Sequence, residues 1–211
     1  MKDLLALINQ KYPLQKKDAG EFAGMKVSGM TFDISAYEAK GLGSVSVMTA
    51  KMPLSIMKMD TLIITPVEMD LPLFSYDRIL ALGNDTFYME FYDTVVGSFD
   101  ASALGEVKKK YDHIPDHMPA PNWYDDIRLP QSMFKKTKKN PEFDTAIVKF
   151  LKAYLESSAG KTADTDAKRK KNEDYVHGLI KNGGPSTNVF VKKYGPEKTS
   201  ELFEKVLFGL K

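Results

Sequence analysis

Residues 69–93 read MDLPLFSYDRILALGNDTFYMEFYD. Two hydrophobic segments, YDRILALG and DTFYMEFYD, meet at GND, where Gly and Asn tolerate the positive φ of a hairpin turn. In the second segment Phe87, Met89 and Phe91 fall on one face of a strand, with Tyr88, Glu90 and Tyr92 on the other. One acid, Asp77, stands at the head of the first strand, which is otherwise built from Ile79, Leu80 and Leu82. Pattern alone leaves two readings of it open. It is a cap, turn or surface acid, or it projects from the sheet into a covered pocket. Burial in such a pocket would raise its pKa and keep a transferable proton near neutral pH.

Outward from this hairpin, residues 26–96 read mostly as strand. KVSGMTFDISAYEAKGLGSVSVMTAKM alternates, and MDTLIITPV is a short apolar run. Strands so close in sequence favour an antiparallel meander. Helices flank them. Leu4, Leu5, Leu7 and Ile8 line one side of a helix over 3–12 that Pro13 closes. ALGEVKKKYDHI predicts a short helix, and the proline-rich PDHMPAPNWYDDIRLP an irregular loop. NPEFDTAIVKFLKAYLESSAG predicts a helix with Asn140 as N-cap, Pro141 in the first position and an apolar stripe of Phe143, Ile147, Phe150, Leu151 and Tyr154. A further helix runs to about Lys181 and stops at NGGP. GPEKTSELFEKVLFGL forms the last one, with Leu202, Phe203, Val206 and Leu207 inward. No repeat or linker intervenes, so residues 1–211 read as one α+β domain, an antiparallel sheet with helices packed on it.

A chain of 211 residues buries roughly 70% of its unfolded surface, enough for a core and an internal pocket. A net charge of +2 demands neither nucleic acid nor a membrane. The absence of cysteine excludes disulfides, thiolate chemistry, iron–sulfur ligation and Cys-based zinc. A redox role then needs a bound cofactor, an outside electron donor or the substrate itself. The N-terminal MKDLLALINQKYPLQ is too short and too interrupted for a membrane span or signal peptide, so a cytoplasmic protein is the default expectation.

The familiar catalytic patterns fail on context. His113 and His117 have helical zinc spacing, but Pro115 lies between them and no third ligand is in view, so no metal site is expected. GLGSVS lacks the third glycine of a dinucleotide fingerprint and opens a strand. No GxSxG is present. The basic runs Lys108–Lys110 and Lys135, Lys136, Lys138 and Lys139 are solvated faces or patches that steer an acidic protein partner.

Four segments in order carry a resemblance. DTLIITPVEMDLPLFSYDRI is similar to the central motif of the ferredoxin-dependent bilin reductases: a strand, a proline-containing turn, DLP, an aromatic and an Asp. PNWYDDI resembles that family's Pro-x-Trp loop, YVHGLIKN its Tyr-rich helix ending in Asn, and VFVKKYGPEKTSELFEKVLF its C-terminal signature. The resemblance implies a three-layer α/β/α sandwich with a central antiparallel sheet. A linear tetrapyrrole such as biliverdin would lie between the sheet and the C-terminal helices. It implies no metal or organic redox cofactor, electrons arriving singly from reduced ferredoxin or flavodoxin, and protons given to a bilin radical. Asp77 matches the family's central proton donor. Asp60 falls where several members have a histidine, and Lys135 where an arginine binds a propionate. Phe74, the aromatic after DLP, and Asn182 are expected at the substrate. Two departures matter: Met48 falls near a glutamate of one subgroup, and Gly183 replaces a second aspartate, with His177 as another proton source.

The leading expectation is therefore ferredoxin-dependent reduction of biliverdin or a related linear tetrapyrrole. A reductase like that of red chlorophyll catabolite, a non-catalytic tetrapyrrole-binding protein, and an unrelated α+β interaction domain are the alternatives.

Overall fold

The computed structural model describes residues 1–211 apart from the side chains of Ser55, Pro185 and Ser186. Its central hairpin joins β6 (Leu73–Ala81) to β7 (Asn84–Tyr92). The turn is Leu82–Gly83, with φ of 49° and 78°, one position before GND. Two successive positive φ values match the right-handed twist of the flanking strands. The first strand also begins earlier than YDRI, so Asp77 lies in its middle and pairs directly with Tyr88.

Around this hairpin the chain builds one antiparallel sheet. β1 (Leu14–Lys17), β2 (Gly24–Val27), β3 (Met30–Ala39), β4 (Gly43–Lys51) and β5 (Met57–Pro66) precede it, and β8 (Met133–Lys138) follows. The order is β1-β3-β4-β5-β6-β7-β8, with β2 on the remaining length of β3. β1 and β8 lie beyond the predicted strand region. β8 carries the second basic run, and strand pairing with β7 overrides its unfavourable composition.

The helices divide between the two faces, giving the three-layer α/β/α sandwich with a central antiparallel sheet. One face is covered by α1 (Lys2–Lys11), α2 (Ser102–Lys109) and α3 (Glu142–Glu156). The predicted stripe of α3 is buried there, from Phe143 to Tyr154, and the Asn140 side chain accepts from the Glu142 amide at 3.0 Å. The other face is covered by α4 (Thr165–Asn182), α5 (Pro185–Glu201) and a π-helical turn, Leu202–Leu207. The predicted last helix is thus longer and kinked at Gly195, whose φ of 80° breaks α5 in its middle. Its four inward residues are buried as expected.

Two devices pin the second helical layer. The Ser46 hydroxyl on β4 donates to the Leu207 carbonyl at 2.6 Å, and Ser44 donates to that of Gly209 at 3.2 Å. A Cβ on Gly209 would stand 2.0 Å from Ser44 Oγ, so only glycine permits this approach. Farther along, the buried Lys168 of α4 donates to the carbonyls of Leu71 and Thr94 and faces Asp70 at 3.5 Å. Asp70, the acid of DLP, accepts the amides of Val96 and Gly97 at 2.9 and 2.7 Å. The motif is therefore a brace that ties the β5–β6 connection and the segment after β7 to α4.

Candidate active site

Strand alternation places Met48 of β4, Thr61 of β5, Asp77 of β6 and Glu90 of β7 on the face under α4 and α5. Between them and the helices lies a hollow. Tyr175 and Leu179 of α4 and Phe203, Leu207 and Phe208 of the terminal segment roof it, and Pro119 and Tyr124 stand at its side. Its free space is about 880 Å³ including the open mouth, of which water centres can occupy about 150 Å³.

Asp77 is partly accessible, and what it meets is this hollow. Enclosure by protein pushes its carboxyl up to about 6, although the Thr61 hydroxyl, which donates to Oδ1, favours the charged form. No cation faces it closely enough to offset the lost hydration. Asp77 thus keeps its proton up to about pH 6, well above the range of an ordinary carboxyl.

Glu90 lies diagonally from Asp77, since Asp77 pairs with Tyr88 and Glu90 with Ser75. Its Oε1 accepts from the Tyr92 hydroxyl at 2.8 Å and from Arg128 Nε at 3.1 Å. Enclosure pushes its pKa up to about 7, with Asp77 adding to the rise and Tyr92 and Arg128 opposing it. Arg128 is held by Asp125 at 2.9 Å and lies over the rings of Phe134 and Tyr124. Sequence reasoning assigned no role to Glu90, Arg128 or Thr61, although Thr61 lies within DTLIITPVEMDLPLFSYDRI. The available signal for Glu90 was a lone carboxylate sharing a strand face with Tyr88 and Tyr92.

Two of the similar segments meet behind the hollow. Trp123 packs against Gly178 so tightly that a Cβ there would fall 2.1 Å from its ring, and its Nε1 donates to the Gly183 carbonyl at 3.1 Å. Trp123 in turn supports Tyr124 and Tyr175, with centroids at 5.3 and 6.0 Å. The Pro-x-Trp loop and the Tyr-rich helix are thus one wall, positioned rather than reactive.

The other expected site residues lie elsewhere. Asp60 is one residue out of phase with Thr61, so it points to the opposite face, where Thr49 donates to it at 3.1 Å and Lys58 pairs with it at 2.5 Å. Lys135 also points to that face; it is buried, donates to the Ile114 carbonyl at 2.6 Å and pairs with Asp116 at 2.8 Å. It is lost both to a propionate in the hollow and to the basic surface. Phe74 is sealed between Phe91 and Tyr154, at 5.6 and 5.0 Å, under α3. Phe74→Ala is expected to cost about 3–5 kcal/mol in a urea titration while leaving the hollow's lining unchanged. His177 is exposed and pairs with Glu204 at 3.1 Å outside the hollow, and Asn182 faces solvent at the end of α4. Met48, by contrast, does line the hollow, whereas Gly183 is not among its lining residues and accepts from Trp123.

Among the described residues no group of three or more His, Cys, Asp or Glu side chains is placed to hold a metal ion. His113 bonds Glu142 at 3.1 Å, while His117 stacks on Tyr88. Among the described residues no helix is long and apolar enough to cross a membrane.

No protein-family model and no curated protein matches the chain. Among solved structures, phytochromobilin synthase from tomato, crystallised in complex with biliverdin, aligns with a TM-score of 0.75. The alignment covers 99% of this chain and 83% of that one at 12% sequence identity. The chain has the fold of that synthase. At that identity the likeness is one of fold alone.

Proposed function

We propose that the protein reduces a linear tetrapyrrole of the biliverdin class, bound between the sheet and the C-terminal helical layer. One observation carries this reading: Asp77, an acid whose proton is held up to about pH 6, faces a roofed hollow. The fold is shared with a synthase crystallised with biliverdin, which supports the choice of ligand. Electrons come one at a time from an outside carrier such as reduced ferredoxin. Each electron makes the pigment more basic, and a positioned acid then captures the charge as a new bond to hydrogen. Asp77 gives the first proton and is left as a carboxylate hydrogen-bonded by Thr61.

The space open to water centres is smaller than the roughly 300–1,000 Å³ of ordinary ligand sites, so seating a tetrapyrrole requires the lining to retreat. Met48 and Met59, unbranched and polarizable, are the lining side chains that yield at least cost.

The test is an anaerobic titration of the protein with biliverdin, followed by reduced ferredoxin and an oxygen scavenger. A shifted pigment band on binding and its bleaching on reduction are the expected results. A bound but unchanged pigment would make the protein a carrier, and no spectral shift at all would remove the tetrapyrrole from the reading.

A further inference from the structure

We infer that Glu90 delivers the second proton of the reduction, to the pigment radical as it takes its second electron. The inference rests on the reading just given and names a residue for which that reading has no role. A two-electron reduction needs two protons, and Asp77 supplies only one.

The geometry points to Glu90 on three counts. It lines the same hollow as Asp77, on the adjoining strand and the same sheet face. The diagonal spacing of such a pair is about 7–8 Å, a distance that one conjugated pigment bridges. Both of its hydrogen bonds, from Tyr92 and Arg128, end on Oε1, and Oε2 has no hydrogen-bond partner among the described residues. The carboxyl is therefore gripped by one oxygen while the other is available to carry a proton. Finally, Arg128 is shared with Asp125, so it orients Glu90 without being dedicated to neutralising it.

The groups facing Glu90 set the order of delivery. Asp77 approaches from β6, Arg128 and Tyr124 from the loop before β8, Tyr175 from α4, and Tyr88 and Tyr92 from its own strand. Once Asp77 has given up its proton, its negative charge makes ionisation of Glu90 harder. Glu90 then keeps its proton until the pigment becomes a stronger base.

The steps balance. The first electron gives a pigment radical anion; the Asp77 O–H bond breaks as a bond from hydrogen to the pigment forms. The second electron converts the neutral radical to an anion; the Glu90 O–H bond breaks as the second such bond forms. Two one-electron donors are oxidised, the pigment gains two electrons and two protons, and both carboxylates recover protons from water.

The test compares wild type, Glu90→Gln, Glu90→Asp and Tyr92→Phe under anaerobic reduction of biliverdin, read by absorbance and electron paramagnetic resonance. Glu90→Gln is expected to bind pigment, accumulate an organic radical and slow product formation by about 10²–10⁴-fold. Glu90→Asp should restore part of the rate, which a purely structural role would not predict. Product formation by Glu90→Gln within about threefold of wild type, with no trapped radical, would overturn the inference and leave the preceding reading standing. Should wild type itself leave the pigment unchanged, that reading falls and this one with it. If Glu90→Gln binds no pigment, Tyr92→Phe decides, because it removes one bond to Oε1 and keeps the carboxyl. Slower radical decay supports the role of Glu90, and unaltered decay overturns it.

Discussion

Asp77→Asn is expected to bind biliverdin and to reduce it about 10²–10⁴ times more slowly than wild type, with the block falling before the first proton transfer. The amide can still accept the Thr61 hydrogen bond, so the substitution removes a proton and little else. The same variant has a second signature. In the unfolded chain an aspartate titrates near 3.9, whereas in the fold Asp77 titrates at about 6. A carboxyl raised in this way binds its proton more tightly in the native state. Its burial therefore costs nothing below the unfolded value, costs progressively more between the two, and costs its full amount above pH 6. Asparagine avoids that cost. Asp77→Asn should match wild type in thermal stability near pH 4 and exceed it by about 1–3 kcal/mol at pH 8. Equal melting temperatures at both pH values would place the side chain in ordinary water and remove the basis of the proposed chemistry.

Lys168→Met should produce a loss of stability as large as that of Phe74→Ala. The ammonium group is fully buried, and burial lowers its pKa to about 8 in spite of Asp70. Asp70 moves below its usual range although burial opposes this, because the amides of Val96 and Gly97 and the Lys168 ammonium outweigh the lost water. The two groups respond differently because Asp70 has backbone donors of its own, whereas Lys168 has only carbonyls, a hydroxyl and one carboxylate at 3.5 Å. Methionine fills the space but leaves the Leu71 and Thr94 carbonyls unpaired and Asp70 without its cation. Breaking such a buried pair costs about 3–5 kcal/mol, equivalent to roughly 6–20 °C in a chain of this size. A differential scanning calorimetry shift below about 2 °C would contradict the brace assigned to DLP.

Much of this fold is legible in the sequence because burial is periodic. The alternation of Phe87 to Tyr92 and the stripe of α3 each name the face that is buried. Register is harder. A turn at GND would set Asp77 opposite Phe91, on the side of α3; the turn at Leu82–Gly83 sets it opposite Tyr88, on the side of the hollow. One residue in a loop thus decides which layer receives the acid, and an exposed leucine at positive φ gives no warning of it. Asp60 fails for the same reason: only the pairing of Thr61 with Asp77 reveals which of two neighbours points inward. Phe74 lies three residues from Asp77, so alternation itself excludes the two from one face. Lys135 reads as a surface charge because the carbonyl of Ile114 and the carboxylate of Asp116 reach it only after a loop has folded back. Glu90 has no local signal beyond sharing a strand face with Tyr88 and Tyr92, since its meaning depends on Arg128, far along the chain.

The pleated sheet that sorts these residues also partitions what selection can act on. Beneath α3, size and shape suffice: aromatic and aliphatic groups can exchange there if volume is kept, and no reacting atom registers the change. Across one thickness of backbone, a single atom's protonation matters. A laminate of this kind lets the packing half exchange side chains of equal volume without moving an atom of the reacting half.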